Sequence, residues 1–189
     1  GRTYLGIGAA WYEDEAKGYG IPYPSTSVRF EQLEDNLQLA RALWQSDETA
    51  FQGKHFSAPA ITNNPRPLST PHPRIMIGGT GPTKTLRMVA EYADACNIGD
   101  WEGRENMQKA LATLQGHCEA LGRDYDTIEK TALCTVHLSG KDTVDSVMRR
   151  LEDLAAMGFT HVIFNMPDVY EISPLATFGK EIIPAVAEL

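Results

Sequence analysis

The stretch that decides the fold runs from Arg74 to Arg87 and reads RIMIGGTGPTKTLR. Its apolar residues predict a short buried strand from Arg74 to Gly78, because they stop abruptly at a run of glycines. Pro82 favours a helix that begins there, since a proline's missing N–H is not needed at the first helical position. The stretch therefore predicts a strand, a glycine turn and a helix from Pro82 to about Tyr92.

The turn between this strand and helix has the composition of an anion site. A glycine-rich turn exposes backbone N–H groups, and the helix N-terminus adds the positive end of its dipole. Three glycines in four residues exceed what a plain connection needs, so we expect a phosphate group here rather than an empty tight turn. The residues expected to bind it are Gly78, Gly79, Thr80 and Gly81. Lys84 and Arg87 would then place cations beside the anion, or would be solvated charges on an exposed helix face.

Strand and helix patterns alternate along the rest of the chain. Further strands are predicted at residues 3–8, 95–98, 130–138 and 161–166, and helices at 11–17, 27–45, 104–121 and from residues 142 and 173 onward. Strands joined by helices predict an α/β fold with a mostly parallel sheet, in a single domain spanning residues 1–189. A (β/α)8 TIM barrel needs about 250 residues. The 189 residues fall short of that by about three βα units, so the patterns alone leave open whether the five βα units form an incomplete barrel or an open sheet.

Chemistry in a parallel sheet is expected at the carboxyl ends of the strands. In this chain those ends are residues 8–11, 78–81, 97–100, 137–139 and 165–168. Gly8, Ala9 and Ala10 are small enough to let a flat ligand lie against the backbone, or they simply fit where helices crowd a strand end. Trp11 would wall a flat ligand or cover the end of the sheet. Asn97 would complete a turn or hydrogen-bond a ligand.

The titratable residues form no catalytic or metal-binding pattern. Acidic residues 13–15 open a predicted helix, where they complement the helix dipole; acid–base chemistry is the alternative. The five histidines lack metal-ligand spacing, so no metal site is predicted. Cys96, Cys118 and Cys134 are far apart, and we expect buried thiols in a reducing compartment.

Composition limits the class of partner. The chain has 189 residues and a formal net charge of −8, which argues against a nucleic-acid partner. It contains neither a run of about 18 apolar residues nor a signal-peptide pattern. We therefore expect a soluble cytoplasmic protein without nucleic-acid or membrane partners.

Several sequence blocks, in order, resemble the luciferase-like monooxygenases. They are LGIGAAWYEDE at 5–15, YGIP at 19–22, RFEQLE at 29–34, FQGKHF at 51–56, PHPRIMIGG at 71–79, TLR at 85–87 and YADACN at 92–97. The likeness runs from Gly1 to about Leu138. It is greatest to the branch of this superfamily that uses the deazaflavin coenzyme F420.

The resemblance implies a TIM-type barrel that binds coenzyme F420, or alternatively FMN, at the carboxyl strand ends. It places residues 8–11 and Asn97 at the cofactor, the turn at residues 78–81 against the cofactor phosphate, and Trp11 as the catalytic, ring-facing residue. The implied activity is hydride transfer between the coenzyme and a small organic substrate. The alternatives are an FMN-dependent monooxygenase and a non-catalytic flavin-binding protein built from a shortened barrel.

The resemblance also implies that strands are absent at the front. Complete members have three further strands before the one that ends at Gly8, whereas this chain begins at Gly1, without methionine, almost directly in a strand. An open sheet of five strands would leave its edges unpaired and part of its core exposed. We therefore expect either a missing upstream segment or a homodimer.

Overall fold

The computed structural model describes residues 2–167 and 169–189. Gly1, the first residue of the predicted domain, and Asp168, the last residue of the predicted strand end 165–168, lie outside the described residues. Five parallel strands form the main sheet, in the order β1 (Tyr4–Ile7), β4 (Arg74–Gly78), β5 (Ala95–Gly99), β6 (Glu129–Thr135) and β7 (His161–Asn165). A separate antiparallel hairpin is made by β2 (Glu48–Gln52) and β3 (Ser57–Thr62).

Helices connect the strands of the main sheet. They are α1 (Glu13–Gly18), α2 (Thr26–Gln45), α3 (Thr85–Tyr92), α4 (Arg104–Leu121), α5 (Val144–Ala156), α6 (Ile172–Thr177) and α7 (Ile183–Val186). A π-helical segment, Phe178–Ile182, joins the last two, and 3-10 turns lie at Asp100–Glu102 and Tyr125–Thr127. The predicted α/β class with a parallel sheet is confirmed.

The helix after the glycine turn begins later than the sequence predicts. Residues 82–84 form a turn, and α3 begins at Thr85. The Leu86 amide donates to the Gly81 carbonyl at 3.0 Å, one residue further back than in a regular α-helix. The Thr85 side chain lies over Gly81, with its Oγ1 2.7 Å from where a Cβ of Gly81 would stand. The prediction that Pro82 opens the helix is therefore wrong by three residues.

The start of α5 also differs from the prediction. Thr143, not Asp142, caps this helix: its hydroxyl accepts from the Ser146 amide at 3.2 Å, and the Ser146 hydroxyl accepts from the Thr143 amide at 2.9 Å. Asp142 instead accepts a hydrogen bond from the His137 amide and pairs with Arg150. The capping-box geometry satisfies two helix N-terminal donors at once.

The core lies between the sheet and its helices. Alternate strand residues point toward the helices, and Ile75, Ile77 and Ile98 are completely buried there. Burying such side chains stabilises the fold by about 1.5–3 kcal/mol each. All three cysteines are buried and unpaired, as expected. The strand residues that alternate with these buried isoleucines, such as Met76 and Asn97, face the other side of the sheet.

Among the described residues, no helix combines the length and apolarity that crossing a bilayer requires.

Candidate functional site

A pocket of about 820 Å³ lies at the carboxyl ends of the five parallel strands. Its lining residues are Gly6, Ile7, Gly8, Trp11, Met76, Gly78, Gly79, Thr80, Asn97, Gly99, Trp101, Glu102, Leu133 and Asn165. Six of the predicted site residues are thus brought together: Gly8, Trp11, Gly78, Gly79, Thr80 and Asn97. The segment 137–139 does not line this pocket.

Glycines form the floor of this pocket. A Cβ added at Gly6 or Gly8 would meet no protein atom within 4 Å, and one added at Gly78 would meet only the Asn97 carbonyl oxygen at 3.9 Å. None of the three has a positive φ, so the backbone conformation does not require glycine. Their missing side chains therefore leave open space at the strand ends, where a flat ring can lie against the backbone.

Two tryptophans wall the pocket. Trp11 is 88% exposed and stacks on Tyr12 with ring centroids 5.3 Å apart. Trp101 is 67% exposed, and its ring covers Gly99 so closely that a Cβ there would lie 2.1 Å from a ring carbon. The sequence predicted Trp11 but not Trp101. The strand end at Gly99 was the available signal, since Trp101 follows it by two residues.

A second pocket of about 210 Å³ shares part of this lining. The predicted residues Ala9 and Ala10 line it together with Gly8, Trp11, Gly78, Arg29 and Thr85, among others. Ala10 has a φ of 57°, a left-handed conformation that residues with a side chain rarely adopt. Arg29, which the sequence did not single out for the site, donates from Nε to the Ala9 carbonyl at 2.9 Å and so holds this strand end.

The glycine turn presents fewer donors than its composition predicts. The Gly79 amide already donates to the Asn97 carbonyl at 2.9 Å. The amides of Thr80 and Gly81 make no hydrogen bond to any residue in the described ranges. Thr85 is only 8% exposed, and its hydroxyl likewise has no partner there. Two amides and one hydroxyl therefore remain available. Gly81 lines neither pocket, because Thr85 lies over it.

Asn97 is held by the sheet as well as facing the pocket. Its side-chain nitrogen donates to Thr131 Oγ1 at 2.7 Å, and that hydroxyl donates to the Cys96 carbonyl at 2.8 Å. Asn97 thus belongs both to a hydrogen-bond network between β5 and β6 and to the lining of the pocket.

Among the described residues that line the larger pocket, Glu102 alone has an ionisable side chain. Thr80 Oγ1 donates to its Oε1 at 3.3 Å. The 3-10 turn that carries Glu102 is held by Arg150, which pairs with Asp100 at 3.4 Å and donates to the Thr135 carbonyl at 2.8 Å. Sequence reasoning missed Glu102 because its partner Thr80 is 22 residues away, beyond any local pattern.

Lys84 and Arg87 do not face the glycine turn. Lys84 Nζ donates to Ser27 Oγ at 3.1 Å, and Arg87 pairs with Glu91 and, at 3.4 Å, with Glu34. They tie α3 to α2. These contacts give the predicted anion site no support from Lys84 or Arg87.

The acidic residues 13–15 lie on the exposed surface of α1, where Glu13 pairs with Lys17 at 3.1 Å. Helix-dipole partners are thus the interpretation that fits them. Within residues 2–167 and 169–189, no three His, Cys, Asp or Glu side chains come together in a way that would hold a metal ion.

A charged cluster occupies the opposite, amino end of the sheet. Glu129 accepts from the Tyr4 hydroxyl at 2.6 Å and lies 2.7 Å from Arg74 and 3.3 Å from His161. Burial alone would raise the pKa of Glu129, but the Tyr4 hydrogen bond and the Arg74 charge outweigh it and leave that pKa below its ordinary value. This cluster joins strands β1, β4, β6 and β7 away from the pocket.

Sequence comparisons identify relatives of the chain. Residues 1–174 match the family described as luciferase-like monooxygenase. An uncharacterized protein of Mycobacterium tuberculosis (strain H37Rv) is 28% identical over 89% of this chain and 54% of its own length. An F420-dependent glucose-6-phosphate dehydrogenase of Beutenbergia cavernae is 24% identical over 97% of this chain and 68% of its own. An FMNH(2)-dependent dimethylsulfone monooxygenase of Pseudomonas putida is 28% identical over 65% of this chain and 35% of its own length.

A solved structure shares the fold. An F420-dependent secondary alcohol dehydrogenase in complex with an F420-acetone adduct superposes with a TM-score of 0.78 at 18% identity, over 98% of this chain and 70% of that one. The five-stranded sheet is thus a curled half-barrel of the kind found in such proteins.

The chain spans about half the length of the first curated relatives that it matches, 54% in each case. The family match nevertheless covers most of the chain, from residue 1 to residue 174. With the curled parallel sheet and the pocket at its carboxyl end, this match establishes that the chain belongs to the luciferase-like monooxygenase family.

Proposed function

We propose that this chain acts as an oxidoreductase that transfers a hydride between coenzyme F420 and a small organic substrate. The observation that carries the proposal is the 820 Å³ pocket, whose glycine floor lies beside hydrogen-bond donors that have no partner among the described residues. The F420-dependent relative of Beutenbergia cavernae supports the choice of coenzyme.

The pocket fits a flat ring system. Gly6, Gly8 and Gly78 leave space above three neighbouring strand ends, and no conformational requirement of the chain explains these glycines. Trp11 and Trp101 supply aromatic faces at the walls. We assign Trp11 to the ring-facing position, where it orients the ring, and Asn97 to a hydrogen bond with the ligand.

The turn fits a phosphate group. The amides of Thr80 and Gly81, which no described residue engages, and the hydroxyl of Thr85 offer three donors close to the start of α3. Arg29 contributes positive charge from the wall of the 210 Å³ pocket, although its guanidinium also donates to protein carbonyls. Ala9 and Ala10 line the same pocket, so we place near them the segment of the cofactor that links its ring to its phosphate.

A bound deazaflavin would supply the hydride chemistry, and the protein's part is to bind, orient and exclude water. The left-handed Ala10, together with the hydrogen bond from Arg29 to the Ala9 carbonyl, defines the shape of the strand end for this purpose. The three buried, unpaired cysteines are consistent with a reducing compartment, so we propose a cytoplasmic location.

An absorbance assay tests the hydride transfer. The chain is mixed without oxygen with oxidised coenzyme F420 and a panel of alcohols and amines, and bleaching of the deazaflavin band is followed. Substrate-dependent bleaching is expected. Tight coenzyme binding without bleaching by any substrate would contradict the proposed enzymatic activity. The chain would then be a cofactor-binding protein without catalysis.

An FMN-dependent monooxygenase is the second candidate, since the Pseudomonas putida relative is named for FMNH(2). Both cofactors carry a flat ring and a phosphate, so the described pocket suits either. Oxygen uptake with reduced FMN, dependent on an added organic substrate, would favour this candidate over F420-dependent hydride transfer.

We also propose that the sheet is five-eighths of a (β/α)8 barrel. Strands β1 and β7 are its edges, and an apolar groove of about 560 Å³ lies beside β7, lined among others by Val162, Phe164 and Ile182. Three further strands, from additional chain or from a second copy in a homodimer, would cover these edges. Light scattering on the purified 189-residue chain distinguishes the homodimer from strands supplied by additional chain, because a homodimer has twice the 20.8 kDa mass of one chain.

A further inference from the structure

One wall of the larger pocket combines a single carboxylate with aromatic surface. Glu102 is the one ionisable residue that the described part of the chain contributes to the lining, and Trp11 and Trp101 line the same space with most of their surface exposed. We propose that this wall selects a substrate bearing a protonated amine, and that Glu102 is the specificity-determining residue. The inference rests on the proposed function, because it assumes that the cofactor ring lies on the glycine floor and leaves this wall to the substrate.

Glu102 is held in place before any ligand arrives. Thr80 Oγ1 donates to its Oε1 at 3.3 Å, and its backbone carbonyl accepts from Asn106 Nδ2 at 2.9 Å. The turn is closed by the Gly103 amide, which donates to the Asp100 carbonyl at 3.1 Å. A carboxylate positioned in this way binds a cation at a smaller entropic cost than a free side chain would.

The charge of Glu102 is not compensated by the protein. Within the described ranges no Lys, Arg or His forms an ion pair with it. The nearby Arg150 is occupied by Asp100 and Asp142, at 3.4 and 3.1 Å. An anionic substrate would therefore meet uncompensated like charge at this wall, whereas an ammonium would find its counter-ion.

The two tryptophans, Trp11 and Trp101, also favour a cationic substrate at this wall. The face of an indole ring attracts a cation placed over it, and Trp is the most effective of the aromatic side chains in this role. The Trp101 ring lies over Gly99, with ring atoms 2.1–2.4 Å from where a Cβ of Gly99 would stand, and the absence of a side chain at Gly99 allows this position. An ammonium group with an apolar body matches this combination of carboxylate and indole.

Three probes of similar size separate charge from shape: cyclohexylammonium, cyclohexanol and cyclohexanecarboxylate. Their binding at pH 7 is followed by NMR through the indole N–H signals of Trp11 and Trp101, with and without coenzyme F420. Trp44 stacks on His72 and serves as the internal reference. We expect cyclohexylammonium to bind at least about tenfold more tightly than either other probe.

Two variants complete the test. Glu102→Gln is expected to remove most of the preference for the ammonium and to leave cyclohexanol binding unchanged. The control, Glu105→Gln, neutralises an exposed carboxylate in α4 that pairs with Lys109 at 2.7 Å. It should change neither the preference for the ammonium nor the binding of cyclohexanol. The inference would be overturned if the three probes bound equally, if the carboxylate were preferred, or if no ammonium binding were detectable up to ~10 mM. It would also be overturned if the preference for the ammonium survived Glu102→Gln. Glu102-dependent ammonium binding by a chain that does not bind coenzyme would support the cation site and remove the proposed function.

Discussion

The backbone amide of Gly79 donates its hydrogen to the carbonyl oxygen of Asn97 across 2.9 Å. This bond joins the ends of β4 and β5 and uses an amide that the glycine turn would otherwise present to a ligand. The amides of Thr80 and Gly81 remain without protein partners in the described ranges, so the proposed phosphate site depends on them. With a φ of 115°, Gly79 would be strained by any side chain, so substitutions elsewhere test the site more cleanly.

Substituting Gly8 tests the glycine floor. In Gly8→Val the new side chain enters the pocket without meeting protein, because a Cβ there has no neighbour within 4 Å. We expect coenzyme affinity to fall at least about tenfold, equivalent to ~1.4 kcal/mol, with the fold retained. Fluorescence titration measures the affinity and circular dichroism the fold. Gly116→Ala, at an exposed position of α4, is the control; equal affinity of the two variants would contradict a ring on this floor.

Removing Asp35 tests the anchor of the hairpin. This 7% exposed carboxylate accepts from the amides of Lys54, His55 and Phe56 at 2.9, 2.6 and 3.2 Å. Asp35→Ala leaves those donors without their acceptor, and we expect the free energy of unfolding to fall by about 3 kcal/mol. Urea denaturation measures the loss. The matched variant Glu31→Gln breaks only exposed ion pairs and should cost less than ~1 kcal/mol; equal losses would show that the anchor is not Asp35.

The charged cluster predicts how stability depends on pH. The pKa of Glu129 is lower in the folded chain than its ordinary value of 4.5, so its stabilisation is present above pH 4.5 and is lost as the pH falls through the folded pKa. Glu129→Gln should therefore flatten the decrease in Tm below pH 4.5. The exposed Glu152→Gln should leave that decrease unchanged. Identical pH profiles for Glu129→Gln and the unmodified chain would exclude this linkage.

The cysteines provide a test of the core. Burial raises the pKa of Cys134 to about 12 and that of Cys96 to about 11, and it also raises the pKa of Cys118. Because the thiolate is the reactive form, none should react with a disulfide reagent at about pH 8 in the folded chain. All three should react after unfolding in urea. A thiol that reacts rapidly in the native chain would mean that its part of the core is open.

Local patterns were sufficient for most of the fold. The limits of α4, Arg104 to Leu121, were predicted correctly, because Gly122 takes the left-handed conformation that ends a helix. Strand β4 was equally well predicted, since a run of apolar residues ends at a glycine. The predictions at Pro82 and Asp142 were wrong because residues 82–84 form a turn before α3 and because Thr143, not Asp142, caps α5.

The candidate site was predictable only in part. The strand ends identified Gly8, Trp11 and the glycine turn, because topology brings the ends of parallel strands together. Glu102 and Trp101 depend on contacts with Thr80 and Gly99 across a turn of defined shape, and residue spacing does not encode these contacts. The donors already used by the protein, such as the Gly79 amide, are likewise visible only in three dimensions.

Comparing FMN with riboflavin by amide NMR tests the phosphate site most directly, because the two ligands differ only in the phosphate. We predict that FMN shifts the amide signals of Thr80 and Gly81 strongly and that of Gly79 less, since the Gly79 amide already donates to Asn97. Riboflavin should leave the Thr80 and Gly81 signals almost unchanged. The same response to both ligands, or no response to FMN at these two amides, would contradict the proposed phosphate site.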